Sequence, residues 1–195
     1  MKKTKGKKVI LVVTALLILI SCFVAYGVYK YEKGNYKDGV YKDDKHMFTD
    51  LDELQNKLNK SFENQKLNLK LKSKNIEKDS NYDYYKEKLQ NNLTITAAIN
   101  KKDEGINSVG VIALSDDSQE ATKGISLLFT LVIREVSPNN KDVATKILEE
   151  LDYNNIKNRA VGEEASINRN GYKYTLKKTY KEGNMYSVML IIDKI

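Results

Sequence analysis

The chain has 195 residues and carries 33 Lys and Arg against 26 Asp and Glu, a formal net charge of +7. That length supports one or two domains with a proper core, and 41% hydrophobic with 30% charged residues excludes both a disordered polyelectrolyte and a polytopic membrane protein. A single Cys excludes a disulfide framework, and one His beside one Cys excludes the usual zinc sites, so no metal or other cofactor is expected.

The charge is unevenly placed. Lys2, Lys3, Lys5, Lys7 and Lys8 precede the first apolar run, and the other 28 basic residues face all 26 acidic ones, which leaves the rest of the chain at only +2. Three of the 33 are Arg (Arg134, Arg159, Arg169), whereas nucleic-acid readers favour Arg for bidentate base contacts and gather charge on one face. Here Lys is interleaved with Asp, Glu and Asn, as in KDEGIN and KKTYKEGN. That is the pattern of a solvated surface, and no nucleic-acid partner is expected.

Val9 to Tyr29 is uncharged over 21 residues. At about 1.5 Å per helical residue it spans about 30 Å, the thickness of a bilayer's hydrocarbon. The five Lys residues hold residues 1–8 in the cytoplasm by the positive-inside rule and send the remainder outside. Tyr26, Tyr29 and Tyr31 fall at the outer end, where amphipathic rings favour the headgroup layer. Residues 9–29 are therefore read as a signal-anchor that makes the membrane a partner of the chain. Leu19-Ile20-Ser21-Cys22 also matches a lipobox, with residues 9–21 as the apolar part of a cleaved signal and Cys22 as the lipidated residue. The apolar continuation FVAYGVY after Cys22 favours the uncleaved anchor. Both readings put the same domain on the same outer face.

In this layout (KKTKGKK, an apolar run, then a Lys-, Asn- and Tyr-rich exported part) the chain resembles small membrane-anchored or lipoprotein-like exported proteins of AT-rich Gram-positive bacteria. Thirty Lys and 19 Asn fit the AT-rich composition. The resemblance implies a place in the cell envelope and carries no catalytic residue with it.

Residues 30–47 are polar, with Tyr31, Tyr36 and Tyr41 at a five-residue cadence, and read as a stalk. His46, at its end, reads as a surface residue. The folded part, 48–195, opens with Thr49 and Asp50 ahead of Asp52 and Glu53, an N-cap with acids in the first turn. Leu51, Leu54, Leu58 and Phe62 then predict an amphipathic helix over 50–64. Leu67, Leu69 and Leu71 alternate with polar residues and predict an edge strand. The polar stretch 77–90 reads as a loop or strand ends. Residues 93–99 and 106–114 predict a hairpin, with Gly110 marking close packing under a helix or a bulge. Asp117 and Glu120 resemble a capping box for a buried helix carrying ISLLFTLVI, ended by Pro138. Asn140 is read as the cap of a second helix, about 141–152, with Val143, Ile147, Leu148 and Leu151 inward. Short strands over 164–168, 172–177 and 185–192 complete the chain, with a turn at 181–184. The predicted order is α-β-β-β-α-α-β-β-β, an α+β domain with an antiparallel sheet packed on helices. Its repeat of a helical block and three strands raises an internal duplication, although the two halves share no visible residues.

Catalytic chemistry is sparse. With the His in the stalk and the Cys in the apolar run, His-dependent triads and Cys nucleophiles are excluded, and no Ser-x-x-Lys or glycine-rich phosphate loop occurs. The acidic pairs Asp116-Asp117, Glu149-Glu150 and Glu163-Glu164 are neighbours whose side chains point apart. No catalytic residue is assigned. Tyr82, Tyr84 and Tyr85 are concentrated in NYDYYKEK and form the candidate partner surface, since Tyr gives large contact area for few rotors. The expected function is a non-catalytic, membrane-anchored extracytoplasmic module that binds an envelope protein. A lipoprotein that binds a small molecule or cell-wall fragment is the alternative, and a carboxylate-only hydrolase is a weaker third reading.

Overall fold

Residues 46–90, 92–116 and 118–195 are described by the computed structural model, and within them the chain forms three α-helices and a seven-stranded antiparallel sheet. The apolar run 9–29, with Lys2, Lys3, Lys5, Lys7, Lys8, Cys22, Tyr26, Tyr29 and Tyr31, lies outside the described residues, as do the stalk up to residue 45 and Asp117. Among the described residues no helix is long and apolar enough to cross a membrane.

Helix α1 (Leu51–Asn64) starts where the sequence places it. The Asp50 carboxylate accepts from the backbone N–H of Glu53 at 2.8 Å, and the Glu53 carboxylate accepts in return from the N–H of Thr49 at 2.8 Å. One orphan donor of the first turn, the Glu53 N–H, and the N–H of the residue before the cap are thereby satisfied. The Thr49 backbone bond, followed by Lys57 one turn on, holds the Glu53 carboxyl below its ordinary pKa. Leu51, Leu54, Leu58 and Phe62 are all buried on one stripe.

The alternating leucines that follow do not form a strand. Lys66 takes a left-handed φ of 56° and ends the helix. The segment then runs back along α1, where the Asn59 amide donates to the carbonyl of Leu71 at 2.9 Å and accepts from its N–H at 2.7 Å. The Glu87 carboxylate takes the N–H groups of Lys72 (2.9 Å) and Ser73 (3.1 Å). Side chains therefore satisfy backbone groups that a sheet neighbour would otherwise hold. The period of two still buries Leu71, with Leu67 and Leu69 packed partly against the core.

The sheet is built from two meanders. The first comprises β1 (Ile76–Lys78), β2 (Tyr82–Gln90), β3 (Leu93–Asn100) and β4 (Ile106–Ser115). After helices α2 (Gln119–Val136) and α3 (Ala144–Glu150), the second comprises β5 (Glu164–Arg169), β6 (Tyr172–Glu182) and β7 (Met185–Lys194). Their order across the sheet is β1-β2-β3-β4-β7-β6-β5, so the last strands of the two meanders pair, from Ser108 opposite Asp193 to Ser115 opposite Tyr186. Strands β1 and β2 correct the reading of 77–90 as a loop. Tyr82, Tyr84 and Tyr85 are good strand formers, and Lys86 and Lys88 lie on the sheet face that no helix of the described residues covers, called the helix-free face below. At the β5–β6 turn, Asn170 and Gly171 take φ of 48° and 83°, the positive values a type I′ hairpin requires.

Strand parity divides the sheet into two faces. Tyr85, Ala97, Val109, Ile192 and Tyr174 lie in one cross-strand row, and Ile95, Val111, Leu190 and Leu176 lie in the next. All belong to the single apolar cluster that also contains the buried residues of the three helices. Helix α2 packs against α1, α3, β4 and β7, so it crosses the seam of the two meanders. Its N-cap is Ser118, whose Oγ accepts from the N–H of Ala121 at 3.1 Å, one residue beyond the predicted box. Asn140 does not cap a helix. A 3₁₀ turn (Pro138–Val143) precedes α3, and the Asn140 amide instead donates to Tyr174 Oη at 2.8 Å and the Arg169 carbonyl at 3.1 Å. Gly110 lies on the helix-free face rather than under a helix. A Cβ there would meet Thr96 Oγ1 at 2.5 Å.

Leu190 is fully buried at the centre of the seam. We expect Leu190→Ala to lower unfolding free energy by about 2–5 kcal/mol in a denaturant titration. Thr94→Ala, on the helix-free face, should cost less than about 1 kcal/mol.

Candidate functional site

The helix-free face has a small or apolar centre: Ala98, Gly110, Ile112, Met189 and Ile191 lie on β3, β4 and β7 with parity opposite to the core. Ile112 is 7% and Met189 5% exposed, yet neither belongs to the main apolar cluster. They form a second, smaller patch. Lysines stand on both flanks, Lys86 and Lys88 on β2, Lys173 and Lys177 on β6. The arrangement follows from period-two alternation in strands whose other parity is committed to the core.

At one end of this face Ser108, Asp193 and Lys173 fall in one cross-strand row. Ser108 Oγ donates to Asp193 Oδ1 at 2.6 Å. Desolvation pushes the Asp193 carboxyl above its ordinary pKa, while the Ser108 bond and then the Lys173 charge pull it back. A Ser hydroxyl against a carboxylate alone has no strong base to deprotonate it. His46 does not supply one. Its Nε2 sits 2.8 Å from Asp103 Oδ2 on the β3–β4 loop and its Nδ1 3.2 Å from Asn107 Oδ1 at the start of β4. The ring packs so closely on Gly105 that a Cβ there would lie 2.2 Å away. His46 is thus half-buried and fixes the point where the chain enters the domain, beside the short bridge of Phe48 with Ile106.

The three tyrosines of NYDYYKEK separate. Successive strand residues face opposite ways, so Tyr82 and Tyr84 lie on the helix-free face, half-buried, while Tyr85 points into the core and is fully buried. Tyr85 is therefore not a contact residue of the folded domain. Its hydroxyl donates to Glu87 and accepts from Gln55 Nε2 at 3.2 Å, and Gln55 also holds the Ser73 carbonyl at 2.7 Å. Burial, then the Glu87 bond, raises the pKa of that hydroxyl. Tyr172 and Tyr174 are core residues.

The acidic pairs serve the fold. Asp116 accepts from the N–H of Ser118 at 3.1 Å, Glu150 pairs with Arg169 at 2.7 Å, and the Glu163 carboxylate accepts from the N–H of Ala160 at 3.0 Å. Among the described residues no three His, Cys, Asp or Glu side chains converge where a metal ion could sit. Lys178 escaped the sequence reading, although the alternation Tyr172, Tyr174, Leu176 continues to it and marks it as inward. It is 1% exposed, and its ammonium donates to the carbonyls of Lys157 at 2.6 Å and Arg159 at 2.9 Å, 5.5 Å from the Tyr186 ring centroid. A buried cation is tolerable because carbonyls and a ring face surround it.

The chain matches no known protein family, no curated protein and no solved structure.

A carboxyl with a raised folded pKa binds its proton more tightly when folded than when unfolded. Stability from Asp193 is therefore highest below the ordinary carboxylate range and falls as pH rises through the raised value. Asp193→Asn keeps an acceptor for Ser108 and removes that fall. We expect the variant to melt above wild type at about pH 7 and to converge with it at about pH 3, in thermal unfolding across pH.

Proposed function

We propose that this chain is a non-catalytic, membrane-anchored extracytoplasmic module that binds another envelope protein, with residues 9–29 as its anchor. The uncharged run behind five Lys residues supports the membrane location. The observation that carries the binding role is the helix-free sheet face, whose apolar centre lies between two lysine-bearing flanks. Ile112 and Met189 are buried at its centre, and the half-buried Ala98 and Ile191 with the lysines around them supply the contact area and a polar rim, the anatomy of a protein interface. Tyr82 and Tyr84 sit on the same face.

The lipobox motif Leu19-Ile20-Ser21-Cys22 favours a second reading, a lipoprotein that binds a small molecule or cell-wall fragment. Fatty-acid labelling of the cell separates the two. Label that disappears in Cys22→Ala supports the lipoprotein, and an unlabelled wild type overturns it.

For the binding role, a photo-reactive residue placed at Lys88 or Ile191 in cells should trap one defined envelope protein. The same residue at Lys60, on the exposed side of α1, should trap nothing. Equal yields from the three positions, or none from the sheet face, would overturn the assignment.

A further inference from the structure

Strand β5 ends the sheet, with no described strand beyond it. The opposite end, β1, is three exposed residues long, the kind of edge that resists pairing. β5 has six residues and neither Lys nor Pro. Its hydrogen-bonding phase is fixed at both ends. The two-residue turn Asn170–Gly171 closes on the pair Arg169 and Tyr172, and the Lys178 N–H donates to the Glu163 carbonyl at 3.4 Å. Bonded and non-bonded pairs alternate along an antiparallel ladder. Odd-numbered residues of β5 therefore turn their backbone groups toward β6, and Ser166 and Asn168 turn theirs away.

A second copy added across this edge about a two-fold axis perpendicular to the sheet must pair through the even-numbered residues. Opposite residues must also share a face. Centring the axis on Ser166 satisfies both conditions, places a bonded pair on the axis and overlaps five residues of β5, 164–168. In that register Ser166 meets Ser166 of the second copy, Ala165 meets Ile167, and Glu163 meets Arg169. Ala165 and Ile167 are already packed against the core, so their pairing extends one apolar layer across the axis. Glu163 would stand opposite Arg169 on each side of the axis, each keeping its own partner within the chain, the Ala160 N–H and the Glu150 carboxylate. The edge is complementary to itself in backbone phase and in its apolar layer.

We infer that this chain pairs with a second copy of itself, β5 against β5 in antiparallel register centred on Ser166, joining the two seven-stranded sheets into one. The inference does not depend on the envelope role, because it concerns the sheet edge and not the helix-free face.

The test uses the full-length chain in detergent micelles, in a Cys22→Ser background. A bonded antiparallel pair has Cα atoms about 5.5 Å apart, within the disulfide range, so Ser166→Cys should form a covalent dimer on mild oxidation. Asn168→Cys stands about 13 Å from its own mate in this register and should stay largely monomeric. Equal dimer yields from the two, or none from either, would overturn the pairing. Sedimentation supplies the second measurement. Wild type should run as a dimer, and Ser166→Pro, which removes an outward N–H and no bond to β6, should shift it to monomer with an unchanged circular dichroism spectrum. A monomeric wild type, or a folded Ser166→Pro dimer, would contradict the proposal.

Discussion

The pairing of β4 with β7 is the constraint on which the domain depends. It joins strands from opposite ends of the folded chain, with Val111 facing Leu190 at its centre. Each meander is local and could form by hairpin closure alone, but neither presents enough apolar area to hold a helix layer by itself. The seam fuses them into one floor, and α2 packs along it while touching both other helices. Closing so long a loop costs conformational entropy, and burial of the row through Ile95, Val111, Leu190 and Leu176 offsets it. Buried polar groups then lock the crossover to the second meander. Tyr174 donates to Ser137 at 2.7 Å and receives Asn140, and Asn170 reaches the Asn140 oxygen at 2.9 Å. Each group in that set is satisfied, as a buried network requires.

With one face committed to helices, the described residues leave the opposite face and the two edges of the sheet uncovered by helix or strand. The chain distributes its chemistry accordingly. Of the carboxylates paired in the sequence, Asp116 and Glu163 hold backbone N–H groups, Glu150 an arginine and Glu164 a lysine. The only His is used to seat the incoming chain against the β3–β4 loop. What is left is contact surface with a polar margin and a self-complementary edge at β5.

Much of the fold was legible in the sequence. Strong periodic segments gave α1, the β3–β4 hairpin, the helix around ISLLFTLVI and the strands at β6 and β7, because amphipathic period follows the face that is buried. The failures have physical causes. Leu67, Leu69 and Leu71 alternate as a strand does, but Asn59 and Glu87 supply their backbone partners, which no local pattern shows. The polarity of 82–90 concealed a nine-residue strand, since only Tyr85 of its tyrosines faces the core. That same alternation split the expected tyrosine surface, leaving Tyr82 and Tyr84 on one face and withdrawing Tyr85 from it. Asn140 looked like a cap and became a buried bridge, because the helix start tightened into a 3₁₀ turn after Pro138. An antiparallel sheet with helices on one side was expected, but which residues make up the other face was not legible. It exists through the order of strands, which is a long-range property.

Amide hydrogen exchange on the folded full-length chain tests the seam most directly. If β4 and β7 form the central pair, the amides of Val109–Ala113 and Val188–Ile192 exchange more slowly than any others in the domain and at matching rates, through global unfolding. If either strand exchanges as fast as β1, the two meanders do not share a seam and the account fails.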